Sequence, residues 1–347
     1  ELNQKRGVKV CNNPSIKFSQ NTNSTEFCSL NSQDDININK IISTKNNKET
    51  LLVLPINKLE DFPLNECLYS IAEQSVPVDV LVLVNGLNKD QVDHLEKIIE
   101  SPKITISKKN EKGEITREEI VSKNDINYVI EITNSDTFQK VFNEAANYAN
   151  INEYNFFSVI EYDDVLDNKW IEKVSLFAND KKDIDVFLPL TREMSNGVFL
   201  GFFNEASWVD GYAEEAGFFD HNLLLRFNCM NITGSVFKTK SLIEKSENKE
   251  GVYKPIKESM KIGYSYEFFL RMIYESLKMF TIPRIGYEHR IDRPCENVNY
   301  FSSKIPRDII SKDQTKGGIT TEEHSFWLNL AKKEYFIETD RGITYKK

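Results

Sequence analysis

Tyr154-Asn155-Phe156-Phe157-Ser158-Val159-Ile160-Glu161-Tyr162-Asp163-Asp164-Val165-Leu166 is the stretch on which the reading of this chain turns. The apolar run from Phe156 to Ile160 has the length and residue types of a buried strand, and it ends abruptly in three acids, Glu161, Asp163 and Asp164. That pattern predicts a strand delivering carboxylates to the edge of a sheet. Open α/β sheets bind ligands at the carboxyl ends of their strands, so acids placed there can hold a divalent cation against a phosphate-bearing substrate. Taken alone, E-x-D-D more often marks a strand running out into a solvated acidic turn. Its neighbours alter the balance.

Upstream, Leu51 to Asn57 is a compact apolar run interrupted by Pro55, and Leu64, Cys67, Leu68 and Ile71 follow at helical spacing. Asp79 to Val84 is a second buried-type strand closed by the turn pair Asn85-Gly86, and Lys89 to Glu100 is an amphipathic helix with Val92, Leu95, Ile98 and Ile99 inward. Strand, helix, strand, helix at this spacing predicts a parallel sheet with right-handed crossovers. Lys103 to Ser107 reads as a third strand and Lys108 to Asn127 as an inserted hairpin or short excursion. Phe138 to Ala149 reads as a helix whose Ala145, Ala146 and Ala149 let it sit close on the sheet.

Downstream, Asp167 to Asn179 is a predicted helix and Asp185 to Leu190 a strand. Ser195 to Asp220 is aromatic, with acids at Asp210, Glu214 and Glu215 that suit an acceptor pocket or a loop packed on the core. Asn228 to Lys238 is strand-like and leads into a helix near Ser241 to Lys245. Tyr266 to Leu277 is a strongly apolar helix, and Ile282-Pro283-Arg284 opens the last unit. A polar linker beyond Pro294 ends in a helix from Thr321 to Lys333. This divides the chain into a polar N-terminal arm or small β element (1–48), a main α/β domain (49–293) and a C-terminal extension (294–347).

The 347 residues allow a large core, and a hydrophobic content of 40% with 28% charged residues is ordinary for a soluble globular protein. A formal charge of -9 argues against a broad nucleic-acid-binding surface. No apolar run is long enough to span a bilayer, and E-L-N-Q-K-R is not followed by a signal-peptide core. Cys11, Cys28, Cys67, Cys229 and Cys295 lack C-x-x-C spacing and read as reduced thiols of a cytoplasmic protein.

Several of these stretches, in this order from Leu51 to about Arg293, resemble motifs of the nucleotide-sugar glycosyltransferases of family 2. Leu52-Val53-Leu54-Pro55-Ile56-Asn57 is similar to that family's opening strand, and Glu66-Cys67-Leu68-Tyr69-Ser70-Ile71-Ala72-Glu73-Gln74-Ser75 to its E-C-L-x-S-I-x-x-Q-T helix. Val84-Asn85-Gly86-Leu87 stands where the family has D-D-G-S, and Asn143-Glu144-Ala145-Ala146 at an A-R-N-x-A-like helix. Ile160 to Leu166 resembles L-D-x-D-D-V-L, and Ile282 to Arg290 resembles I-P-x-x-x-Y-x-x-R.

The resemblance implies a GT-A fold, a Rossmann-like and mostly parallel central sheet flanked by helices. It implies a UDP-linked donor against Pro55, Asn57, Asn85, Glu161, Asp163 and Arg290. Mn²⁺ or Mg²⁺ would sit on Asp163, helped by Glu161 and His289, and the acceptor would be a glycan or protein hydroxyl. One motif departs: Glu258 to Arg271 resembles E-S-L-K-x-G-E-D-Y-E-F-F-L-R, but Tyr264 and Ser265 replace the acidic pair that supplies the general base. An unassisted serine hydroxyl cannot serve as that base near neutral pH. Substitute carboxylates are Glu267, or Asp210, Glu214 or Glu215 in the aromatic stretch. The alternative is a domain that has lost turnover and serves as a structural or glycan-binding module in an assembly. A nucleotidyltransferase fits less well, because the first strand lacks a Gly-rich basic phosphate loop.

Overall fold

The computed structural model describes residues 49–109, 114–122, 126–202, 230–245, 253–259, 264–290, 329, 336–339 and 342–345. Strand β1 (Thr50–Ile56) is buried along its whole length. Its alternate side chains enter two different cores, so the continuous apolar run is that of a strand covered on both faces. Leu51 and Val53 join Leu81, Phe138, Phe142, Phe157 and Phe268, while Leu52, Leu54 and Ile56 join Leu64, Leu68, Val82, Trp170 and Val174.

Around β1 the chain lays down helix α1 (Asp61–Ala72), β2 (Asp79–Val84), α2 (Lys89–Glu100), β3 (Lys103–Lys109), β4 (Ile115–Val121), β5 (Asn127–Ile132) and α3 (Phe138–Ile151). The acid-bearing strand is β6 (Phe156–Val159), followed by β7 (Val165–Leu166), α4 (Trp170–Asp180), β8 (Val186–Ser195) and β9 (Val198–Phe202). Then come β10 (Val236–Lys238), α5 (Thr239–Glu244), α6 (Tyr264–Tyr274) and β11 (Met279–Arg290). Among the described residues one nine-stranded sheet runs β5-β2-β1-β6-β10-β8-β11-β7, with β9 beside β8.

The expected α/β class is observed. Its β5-β2-β1-β6 half is parallel, as is β8 with β11, whereas β10 runs antiparallel to both neighbours and β7 antiparallel to β11. Helix α2 begins with a capping box in which Asn88 and Gln91 exchange backbone hydrogen bonds, which fixes its start where the pattern predicted.

Two expectations need correction. Lys103 to Ser107 is not the third strand of the main sheet: β3 pairs with β4 in a separate two-stranded antiparallel ribbon, and β5 takes the place beside β2. Lys103, Thr105 and Ser107 are exposed and alternate with half-buried Ile104 and Ile106, a pattern suited to a ribbon wetted on one face. The aromatic stretch also does not begin as a loop, for Val198 to Phe202 turn back along β8 through Asn196 (φ 49°) and Gly197 (φ 74°). The N-terminal arm, residues 203–229 and most of the expected Thr321–Lys333 helix lie outside the described residues. Beyond them, β12 (Phe336–Thr339) and β13 (Gly342–Tyr345) form an antiparallel hairpin.

Candidate functional site

Strand β6 ends as the Ile160 amide donates to the Val53 carbonyl (2.9 Å), and the chain then turns, with the Asp164 amide donating to the Glu161 carbonyl (3.1 Å). The next two residues form β7, whose register with β11 sets Leu166 opposite Tyr287 and Val165 opposite Glu288. This pairing carries His289 and Arg290 onto Asp164, which is fully buried. Its carboxylate accepts from His289 Nδ1 (3.0 and 3.1 Å) and from the Arg290 amide (2.8 Å). The Tyr287 hydroxyl also bonds to it, while accepting from the Glu161 amide (3.1 Å). A carboxylate only accepts, so Nδ1 of His289 carries the hydrogen in this pair.

The far side of the turn is held by α1, and by the residues that carry the sequence resemblance. Cys67 Sγ lies 3.6 Å from the Glu161 carbonyl, and Ser70 Oγ accepts from the Leu166 amide (3.1 Å). Gln74 Nε2 donates to the Asp167 carbonyl (2.7 Å), and Glu66 pairs with the Arg290 guanidinium. Burial pushes the Cys67 thiol well above its ordinary pKa, and the charges of Asp164 and Asp163 push it further, so this cysteine is an inert packing group.

Glu161, Asp164 and His289 each present an atom able to ligate a metal, all within 4.8 Å of one another. Asp163 is half-buried in the same turn but outside that group. Sequence reasoning counted Asp164 among the three acids but gave the ligand roles to Asp163, Glu161 and His289. The signal was present in the second of two adjacent acids, directly before the short apolar strand Val165-Leu166. Which of the two faces inward is decided by the β7–β11 pairing.

The remaining residues singled out from the sequence divide. Pro55 and Asn57 lie at the end of β1, and Asn57 Oδ1 is buried without a hydrogen-bond partner among the described residues. Asn85 Nδ2 donates to the Ser135 carbonyl (2.7 Å), a loop itself pinned by Glu144, which accepts from Thr133 and Ser135 hydroxyls (both 2.6 Å). Arg290 is engaged by two carboxylates, Glu66 and Glu288 (2.8 Å), the latter also paired with Arg192.

Tyr264 stacks on Phe138 with ring centroids 5.7 Å apart. Burial raises its pKa well above the ordinary value, as does the charge of Glu161, so the start of α6 lies beside the acids. Ser265 Oγ is buried with no partner among the described residues. Glu267 is gripped by Lys257 (2.8 Å) and Arg271 (2.9 Å). Burial alone would raise its pKa, but the two cations bring it below the usual range, the opposite of what a general base needs. Glu214 and Glu215 lie outside the described residues.

No family model matches the chain, and no curated protein does. Among solved structures it is similar to S. aureus TarS 1-349 in complex with UDP-GlcNAc, at 15% identity and a TM-score of 0.49, over 74% of this chain and 61% of that one. The same TarS fragment in complex with UDP gives 15% identity and a TM-score of 0.48 over 86% of this chain and 96% of that one. The mannosyltransferase PcManGT from Pyrobaculum calidifontis, in complex with GDP-Man and Mn²⁺, gives 10% identity and a TM-score of 0.45 over 76% and 65%. Among the described residues no helix is long and apolar enough to cross a membrane.

Proposed function

We propose that this chain is a metal-dependent glycosyltransferase that binds a UDP-linked sugar at the ends of β1, β2 and β6 and transfers it to a glycan or protein hydroxyl. The observation that carries the reading is Asp164: a fully buried carboxylate that fixes the tautomer of His289 beside Glu161, at the mouth of a strand ending in acids. Holding an imidazole from behind through Nδ1 is how a carboxylate orients a metal-binding histidine. Glu161, Asp163 and His289 would then hold Mn²⁺ or Mg²⁺, a donor set of hard oxygens with one imidazole that suits either ion. Bound there, the ion would act as a Lewis acid on the departing diphosphate.

The chain's own residues supply the rest of donor recognition. Because Asn85 spends Nδ2 on Ser135, the acceptor it has left is Oδ1, which suits the imide N–H of uracil. Asn57 Oδ1, which has no hydrogen-bond partner among the described residues, suits a ribose hydroxyl. Arg290 braces the turn through Glu66 and Glu288 and does not need to reach phosphate to matter. With Glu267 tied to two cations, Glu214 and Glu215 are the carboxylates proposed for deprotonating the acceptor.

A second reading, a module that binds donor without turning it over, is favoured by one observation: the start of α6, where the resemblance expects the acidic pair, carries Tyr264 and Ser265, both buried and neither a carboxylate. Calorimetry with UDP and UDP-sugars, with and without Mn²⁺, tests the donor site. The expected result is Mn²⁺-dependent binding that Asp163→Ala or His289→Ala weakens by at least about tenfold. No binding at millimolar nucleotide under either condition would sink the reading. Release of free sugar from the bound donor then separates enzyme from module.

A further inference from the structure

The carboxyl end of β2 is tied to α3 by a chain of hydrogen bonds whose direction is fixed throughout. Glu144 Oε2 accepts from the Thr133 and Ser135 hydroxyls (2.6 Å each). With its hydrogen given to Glu144, Thr133 Oγ1 accepts from the Ser135 amide (3.0 Å). Ser135 is thereby held at its amide and at its side chain, and its carbonyl accepts from Asn85 Nδ2 (2.7 Å). A carbonyl cannot donate, so the Asn85 amide has one orientation, with Nδ2 toward Ser135 and Oδ1 away, where no described residue bonds to it. The backbone on either side is fixed too, the Asn85 amide donating to the Ile56 carbonyl (2.9 Å) and the Thr133 amide to the Val84 carbonyl (2.8 Å). Next in the chain, Gly86 is exposed, and a Cβ there would meet nothing within 4 Å, so the space beside Asn85 is open.

From this geometry we propose that Glu144 is a positioning residue for the choice of nucleobase: by fixing Ser135 it fixes the amide of Asn85, and so makes the donor site accept uracil and reject cytosine. The inference rests on the donor reading above. The imide N–H of uracil matches an acceptor, whereas the corresponding ring nitrogen of cytosine is itself an acceptor and would face Oδ1 without a hydrogen between them. A free asparagine would turn its amide over and offer Nδ2 to cytosine. Here the same turn sets Oδ1 against the Ser135 carbonyl, two acceptors in contact, and a hydrogen bond is lost. Glu144 touches no base in this scheme and acts through Ser135. Both hydroxyls bond to one of its oxygens, so Glu144→Gln keeps the pair through its carbonyl oxygen, whereas Glu144→Ala loses both.

The test titrates the full chain with UDP and with CDP by calorimetry in Mn²⁺. It reads the ratio of the two affinities, because a general loosening of the fold lowers both and leaves their ratio alone. Wild type and Glu144→Gln should favour UDP by about tenfold or more, and Glu144→Ala should bring the two nucleotides within about threefold of each other. Thr133→Val, which removes one bond to Glu144 and the acceptor of the Ser135 amide, should move the ratio the same way and stands in if Glu144→Ala does not fold. Equal affinities in wild type, an unchanged ratio in Glu144→Ala or its stand-in, or a ratio lost as fully in Glu144→Gln would each overturn the proposal and leave the donor reading standing. Binding of neither nucleotide to wild type would overturn both.

Discussion

Asp164 is a buried carboxylate satisfied from several sides, and the residue that allows this is a glycine. Tyr287 reaches both Asp164 and the Glu161 amide because its ring lies flat on Gly234, where a Cβ would meet Tyr287 Cδ2 at 2.5 Å and Cγ at 2.6 Å. Gly234 also has φ +74°, a conformation that L side chains avoid. Gly234→Ala is therefore expected to cost about 2 kcal/mol or more, read as a lower urea midpoint at unchanged slope. By displacing Tyr287 it should also weaken the Mn²⁺ binding proposed above. An unaltered midpoint would mean that the loop yields and Tyr287 is not held as described.

Between elements, the half-buried Asp167 and the buried Glu267 have opposite dependence on pH. Asp167, at the junction of β7 and α4, is raised to about 6 by burial, against the opposing pull of the Lys169 amide, Arg284 and Arg192. The folded state keeps a proton that the unfolded chain releases, so this group's contribution is greatest below the ordinary carboxylate range and declines as pH rises through about 6. Asp167→Asn, which still accepts from Lys169, should be more stable than wild type in mild alkali and equal to it in acid. Glu267 ties α6 to the segment at Lys257 and is held low by Arg271 and Lys257 despite its burial. Its contribution is present above the ordinary range and is lost as pH falls through the folded value. Glu267→Gln should cost about 3 kcal/mol at neutral pH, because it leaves two cations facing a neutral amide, and less in acid. Denaturant titrations of both variants across pH check the two signs; parallel curves would refute the assignment.

Over the whole molecule, the sheet separates two apolar layers, α3 and α6 packing on one face and α1, α2 and α4 on the other. Phe142 sits among Phe157, Phe237 and Phe268 in the first layer, and Leu68 lies in the second. Phe142→Leu and Leu68→Ala should each destabilise, the latter by about 2–5 kcal/mol. Their effects should add within about 0.5 kcal/mol, since Phe142 and Leu68 belong to separate core clusters on opposite faces of the sheet. A larger coupling energy in the double-mutant cycle would mean that the sheet transmits strain between the layers.

What the sequence determined by itself was the local part. The apolar runs of β1, β2 and β6 and the periodicity of α2, α3 and α6 specify their own structure, because burial on a known period needs no distant partner. The acids at the end of β6 were legible for the same reason. What only the tertiary structure decided was pairing. Alternating Ile104 and Ile106 are compatible with either a sheet or a ribbon, and the ribbon with β4 was chosen by a partner more than ten residues away. The inward role of Asp164 over Asp163 and the capture of Glu267 by Lys257 are likewise contacts between distant segments. Hydrogen bonds and ion pairs of that kind depend on where two backbones are brought together, and one strand's sequence does not carry its neighbour's register.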